Sequence, residues 1–155
     1  KVDSLLWDLS PLLSDYDVVN DASTHAAYTL VNQLVPHWKN VERIYFDGGN
    51  PDMRDAAVSL REGDWEEAGR IWKNLYDSVK KGKLKSRAAF NMALACEVQG
   101  QMQEAVSWIE KAQKSASPGS SEERAAVFYS TVLKDRAKDC QLLNLQMGRF
   151  SYKFN

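Results

Sequence analysis

Two stretches of the chain share one pattern at a fixed distance. Gly63–Leu75 reads GDWEEAGRIWKNL and Gly100–Ala112 reads GQMQEAVSWIEKA. Each opens on a glycine, places Glu-Ala four and five residues later (Glu67-Ala68, Glu104-Ala105), and continues with apolar residues at helical spacing. The offset between matching positions is 37 throughout. A constant offset of this size marks an internal repeat, one supersecondary unit that cannot bury its apolar face alone and must stack on a neighbour. The chain is therefore expected to be an array of helices.

Composition narrows the partners. A chain of 155 residues suits a single domain, here taken as residues 1–155, with enough length for a sizeable core. The formal charge is −1 with acids and bases interspersed, which gives no basis for nucleic acid or an anionic membrane as a partner. No run of about 20 apolar residues offers a transmembrane segment. Cys96 and Cys140 are too few for a disulfide framework, and their apolar neighbours predict small buried thiols; their redox state is not readable. Because the chain begins with Lys1 rather than Met, a processed or trimmed product is expected.

Along the chain, Leu5, Leu6, Trp7, Leu9, Leu12 and Leu13 suggest an apolar arm broken by Pro11. A helix is predicted over Asp21–Leu34, capped by Asn20 or Asp21 and ended before Pro36. Val41–Phe46 has strand-like composition and is either a strand or an extended connector. Asp47-Gly48-Gly49 turns the chain, and Asn50-Pro51 starts the next helix with an asparagine cap and a proline at its first position. The repeat hairpins are placed at about 51–79 and 86–114, with Lys80–Lys85 as a basic solvated connector. Capping boxes are predicted at Asp64/Glu67 and Ser120/Glu123. A C-terminal helix over about 121–146 should present Ala125, Phe128, Tyr129, Val132, Leu133, Ala137, Cys140 and Leu143 inward and end at Gly148. The aromatic tail Arg149–Phe154 is either an added strand or loose.

Ser86–Ala112 closely resembles a tetratricopeptide repeat: Asn91-Met92 and the small Ala93 in the first helix, Gly100 at the turn, Glu104-Ala105 opening the second helix and Ala112 near its end. The earlier copy matches through Ala56, Gly63, Trp65, Glu67, Ala68 and Leu75, with Arg54 where the asparagine would stand and no proline after the repeat. The 37-residue period exceeds the usual 34 by three. The wider set Pro36, Trp38, Val41-Glu42-Arg43, Tyr45-Phe46, Gly49-Asn50-Pro51 and Trp72 resembles the C-terminal half of an uncharacterised family of bacterial envelope tetratricopeptide lipoproteins. The resemblance implies an all-α fold, an antiparallel helical hairpin array with flanking helices and a short extended segment. It also implies a cell-envelope location, periplasmic or anchored at the outer membrane. It carries no established activity.

In such arrays the first helix of each hairpin lines a concave surface. Here Arg54, Arg61, Arg87, Phe90, Asn91 and Leu94 form the candidate peptide- or partner-binding groove, with Ala57 and Glu97 on the same helices. Asn91 can hydrogen-bond a peptide backbone and the arginines can meet carboxylates. Two readings of that surface stand: an open groove, or one filled by the flanking segments. Ala56, Trp65, Ala68, Trp72, Ala93, Ala105, Ile109 and Ala112 are the expected repeat-packing residues. The tryptophans at helical spacing read as core rather than as a stacking platform. His25 and His37 lack ligand spacing, and Asp47–Asp52 lacks the alternating acids of a calcium loop, so no metal and no cofactor is expected. No nucleophile elbow, phosphate loop or convergent acid–base pair appears, and catalysis is not expected. The function read from the sequence is a protein-interaction or scaffold module docking a protein, a peptide or an N-terminal domain of its own parent chain. The alternative is carbohydrate or small-ligand binding, or an enzymatic role in envelope glycan metabolism, around Trp38, Tyr45 and Phe46.

Overall fold

A computed structural model describes residues 16–151. The arm at Lys1–Leu13 and tail residues 152–155 lie outside the described residues. Six α-helices and no strand occur among those described: α1 Tyr16–Leu34, α2 Pro51–Arg61, α3 Trp65–Ser78, α4 Lys83–Val98, α5 Met102–Ser115 and α6 Ser121–Ser151. The chain divides into two compact units. One is Val41–Cys140, and the other joins the chain before it to the chain from Gln141 onward.

In the larger unit, the repeat exists in hydrogen bonds as well as letters. At the end of α2 the Asp64 N–H donates to Ser59 O (2.9 Å) and Gly63 N–H to Leu60 O (3.1 Å). At the end of α4, Gln101 N–H donates to Cys96 O (2.8 Å) and Gly100 N–H to Glu97 O (3.1 Å). Every atom pair is displaced by the same 37 residues. Both turns are Schellman closures, in which the residue after the helix must take a left-handed conformation. Gly63 (φ +83°) and Gly100 (φ +75°) do so, which is why glycine opens each repeat. Asp64 then caps α3, its carboxylate accepting the Glu67 N–H at 2.9 Å.

Helix α4 is the centre of the unit. Its sequence is rich in alanine and weakly amphipathic, and ten of its sixteen residues are buried. A helix apolar on both sides can be packed from both sides. Ala88 and Ala95 join Met53, Ala56, Leu60, Ala68, Trp72 and Leu75 of α2 and α3. Ala89, Phe90, Ala93, Leu94 and Cys96 join Ala105, Ile109 and Ala112 of α5 and Ala126, Tyr129 and Leu133 of α6. The alanines let helix axes approach, and the large side chains Trp72, Phe90, Met53, Ile109 and Leu133 fill the space between. Each such aliphatic or phenyl side chain contributes about 1.5–3 kcal/mol through removal from water.

Several boundaries differ from expectation. Helix α1 already includes Tyr16, so Asn20 and Asp21 lie inside it rather than capping it. Acidic Asp17 in its first turn is favourable at the positive end of the helix dipole. Lys83–Lys85 belong to the first turn of α4 and not to a solvated connector: Lys85 Nζ donates to Val79 O at 2.7 Å and lies 4.2 Å from the Tyr76 ring centre. Gly148 does not end α6, which continues to Ser151 without a left-handed residue there. On α6 Ala126, Tyr129 and Leu133 are buried, whereas Phe128 and Leu143 are exposed, a rotation of the expected face. Both capping boxes are altered. Glu67 turns outward to Arg70 (Nε to Oε2, 2.7 Å), because the Asp64 N–H already serves the turn. Glu123 reaches past Ser120 to the Gly119 N–H at 2.6 Å.

In the smaller unit, Gln146 is buried and its Nε2 donates to the carbonyls of Asn32 (3.1 Å) and Gln33 (2.9 Å). These are last-turn carbonyls of α1 with no partner inside their own helix. A single amide thus closes the C-terminal end of α1.

Candidate functional site

Residues 41–48 form neither strand nor helix. They are an extended connector, and the structure shows what holds it: side chains of α4 and α6. This strap runs antiparallel to α4, with Arg43 at Glu97, Phe46 at Asn91 and Gly48 at Arg87.

The first anchor is an ion pair. Arg43 places Nε 2.8 Å from Glu97 Oε2 and Nη2 2.7 Å from Oε1, the two-pronged geometry that suits guanidinium and carboxylate. The Tyr129 hydroxyl donates to Glu97 Oε2 at 2.6 Å, and Arg136 Nε stands 3.9 Å from Oε1. Burial alone would raise the Glu97 carboxyl, but the hydrogen bonds from Arg43 and Tyr129 and the charges of Arg43 and Arg136 outweigh it and hold it below the ordinary range. The same pairing raises Arg43, chiefly through the hydrogen bond to Glu97. Tyr129 is raised, first by burial and then by its bond to Glu97. Glu97 is an ionised structural acceptor, and Tyr129 stays protonated as its donor.

The second anchor is an amide clamp on main chain. Asn91 is fully buried; its Oδ1 accepts the Phe46 N–H at 2.9 Å and its Nδ2 donates to Phe46 O at 2.6 Å. Both polar groups of one peptide residue are satisfied by one side chain, so this contact reads extended backbone and not sequence. The Phe46 ring meets Phe90 edge-on at 5.1 Å, and Phe90 lies 4.9 Å from Tyr129.

The third anchor is Arg87. Its guanidinium lies 4.8 Å from the Phe46 ring centre, donates to Gly48 O at 3.2 Å, and pairs with Glu122 Oε1 through Nε (2.9 Å) and Nη2 (2.8 Å). Glu122 is buried and is also reached by Lys83 Nζ at 3.4 Å and Ser121 Oγ at 2.9 Å. Burial works to raise its carboxyl, yet Arg87, its own N–H, Ser121 and Lys83 bring it down to about 2.

The six expected groove residues therefore separate. Arg87, Phe90 and Asn91 converge on the strap, and Leu94 is buried in the core beneath. Arg54 and Arg61 are exposed on α2 and contribute nothing to it. Of the packing residues, Ala56, Ala68, Trp72, Ala93, Ala105, Ile109 and Ala112 are buried and Trp65 is half-buried. Trp108 packs edge-on to Tyr76 at 5.1 Å. Tyr45 and Phe46 pack against the core clusters. The sequence reading missed Arg43, Glu122 and Tyr129. One signal pointed toward them: a carboxylate at position 97, inside the run Ala93–Val98, has to find a cation once buried.

Elsewhere the described surface offers little chemistry. An open depression of about 330 Å³ is lined by Asp52, Arg70, Ile71, Asn74, Leu75 and Ser78. Its counterparts one repeat on include Trp108, which packs edge-on against Tyr76, and Ser115, whose carbonyl accepts the Gly82 N–H. No group of three His, Cys, Asp or Glu able to hold a metal occurs among the described residues, and no described helix is long and apolar enough to cross a membrane.

Residues 54–135, more than half of the chain, match the family described as "Domain of unknown function (DUF6340)". No curated protein and no solved structure matches the chain. The matched segment contains the groove residues from Arg87 to Tyr129 and begins after the strap.

Proposed function

We infer that this chain, which belongs to the DUF6340 family, is a non-catalytic protein-interaction and scaffold module of tetratricopeptide type. The observation that carries the reading is the Asn91 clamp, a buried side chain that grips both main-chain groups of an extended segment. A helical face that holds peptide backbone in this way is built for recognition of chain rather than for transformation of a small molecule. Two repeat turns with identical hydrogen bonding, and alanines fully buried at Ala56/Ala93 and Ala68/Ala105, support the hairpin array. The strap is itself the first thing docked, so part of the role is to hold an extended segment of its own chain against α4. Placement within a larger bacterial envelope protein follows from the resemblance of the wider sequence pattern.

The glycan-binding alternative needs Trp38, Tyr45 and Phe46 as stacking surfaces. Tyr45 and Phe46 are packed on the core, and Trp38 alone presents a fully exposed ring. The ionised Glu97 and the protonated Tyr129 are both held away from the near-neutral range that general acid–base work uses.

The test is capture of envelope proteins from a cell extract by the immobilised chain, beside variants at exposed Arg54 and Arg61 and at the groove residue Arg87. A specific partner retained by the chain and lost with one of these sets supports the module. An extract from which no protein is retained, together with turnover of an envelope glycan by the chain, overturns it.

A further inference from the structure

We propose that the α4 groove is a sequence-reading peptide site for an extended segment of pattern Arg-x-x-Phe, and that the protein's own strap occupies it as an exchangeable ligand. The proposal rests on the interaction-module reading and names the partner chemistry of that site. Each element of the pattern has its own receptor in the structure. The arginine enters a buried acceptor made by Glu97 and backed by Tyr129. The aromatic ring three residues later sits between Phe90 and the Arg87 guanidinium, with its main chain in the Asn91 clamp. Two residues further on, the Gly48 carbonyl accepts from Arg87, a main-chain contact open to any residue, since a Cβ at Gly48 would meet no atom within 4 Å.

Val41, Glu42, Ile44 and Asp47 are exposed, while Tyr45 is half-buried against the core beside Phe46. The strap is thus held at three points by side chains, with no ladder of main-chain bonds to a neighbouring strand. Contacts of this kind are shared by any extended chain bearing the same two side chains. Arg136 adds a reason for the groove to favour a ligand carrying acceptors. Its Nε is buried beside Glu97 and has no hydrogen-bond partner, so a ligand oxygen near this end of the groove would complete it.

A tethered ligand competes at an effective concentration of the order of millimolar. A free peptide of the same sequence is therefore expected to bind the intact chain weakly and a strap-weakened chain much more tightly. The probe is a labelled octapeptide with the sequence of residues 41–48, VERIYFDG, titrated by fluorescence anisotropy into the full chain and into Arg43→Ala/Phe46→Ala. Binding to the strap variant at least tenfold tighter than to the intact chain is expected. That binding should fall at least tenfold when the peptide's arginine is replaced by alanine, and again when the strap variant also carries Glu97→Gln.

No binding to a strap variant that retains its helical circular dichroism overturns the proposal, as does equal binding of the peptide lacking arginine. If the strap variant does not fold, amide hydrogen exchange on the intact chain decides. Excess peptide should speed exchange at the Phe46 N–H, and unchanged exchange at saturating peptide overturns the proposal. Capture of an envelope partner unaffected by the octapeptide would leave the scaffold reading standing while removing this groove from it.

Discussion

Replacing Glu97 by alanine tests whether the strap is held as described. The substitution removes the acceptor for three hydrogen bonds, from Arg43 Nε (2.8 Å), Arg43 Nη2 (2.7 Å) and the Tyr129 hydroxyl (2.6 Å). Deleting one partner of a buried ion pair costs about 3–5 kcal/mol, because the other charge is left without compensation. The Arg43 side chain keeps 19% of its surface in water and can regain hydration, so the cost here is set at about 2–4 kcal/mol. Glu97→Gln keeps one acceptor oxygen and should lose roughly half as much. The assay is urea unfolding followed by circular dichroism, with the slope against denaturant unchanged if both states are preserved. A double-mutant cycle with Arg43→Ala isolates the pair and should return a coupling of about 2 kcal/mol. A loss below about 1 kcal/mol, or simple additivity of the two substitutions, would refute the claim that this pair anchors the strap.

Other outcomes follow from the same geometry. Glu122 titrates at about 2 rather than 4.5, so its contribution is present above about pH 4.5 and fades as pH falls toward 2. On the order of 3 kcal/mol should be lost across that interval, and Glu122→Gln should flatten the stability profile there when unfolding is measured between pH 7 and pH 2. Asn91→Ala should release the Phe46 amide to fast hydrogen exchange while costing about 1–3 kcal/mol; retained protection at Phe46 would remove Asn91 from the clamp. Gly63→Ala meets no atom within 4 Å, so its expected cost of about 1 kcal/mol is conformational only, from φ +83°, and an unchanged melting temperature would argue against the left-handed turn.

The parts of this molecule that were readable beforehand are those whose cause is local. A Schellman turn needs glycine at one place, and a close helix crossing needs alanine at another, so Gly63/Gly100 and Ala68/Ala105 carry their structure in their identities. Asn50 and Pro51 announce the start of α2 for the same reason, and Asn50 Oδ1 does accept the Asp52 N–H at 2.7 Å. The strap was not readable. Its contacts join residues 39 to 54 positions apart, and no periodicity encodes which carboxylate a given arginine will meet. Arg43 looks like any solvated cation until α4 and α6 are side by side. The expected inward position of Phe128 failed because a helix face read from spacing alone can be rotated by about one residue, and the small Ala126 is the residue buried in its place. Asn91 was singled out for backbone hydrogen bonding, and the backbone it holds is that of Phe46, upstream in the same chain.

The order of the chain gives the strap one further property. It precedes its groove: Tyr129, the deepest residue of the arginine receptor, lies 81 residues after Gly48. At a synthesis rate of about 5–20 residues per second, the strap waits roughly 4–16 s before its receptor exists. During that interval Arg43 and Phe46 lack the part of their seat that α6 supplies, while α2, α3 and α4 can already assemble through contacts between chain neighbours. Closure across the long separation then comes late, so weakening Arg43 should hasten unfolding while leaving the rate of folding nearly untouched. The strap is thus made before its seat is complete, and for those seconds its Arg43 and Phe46 are open to another chain.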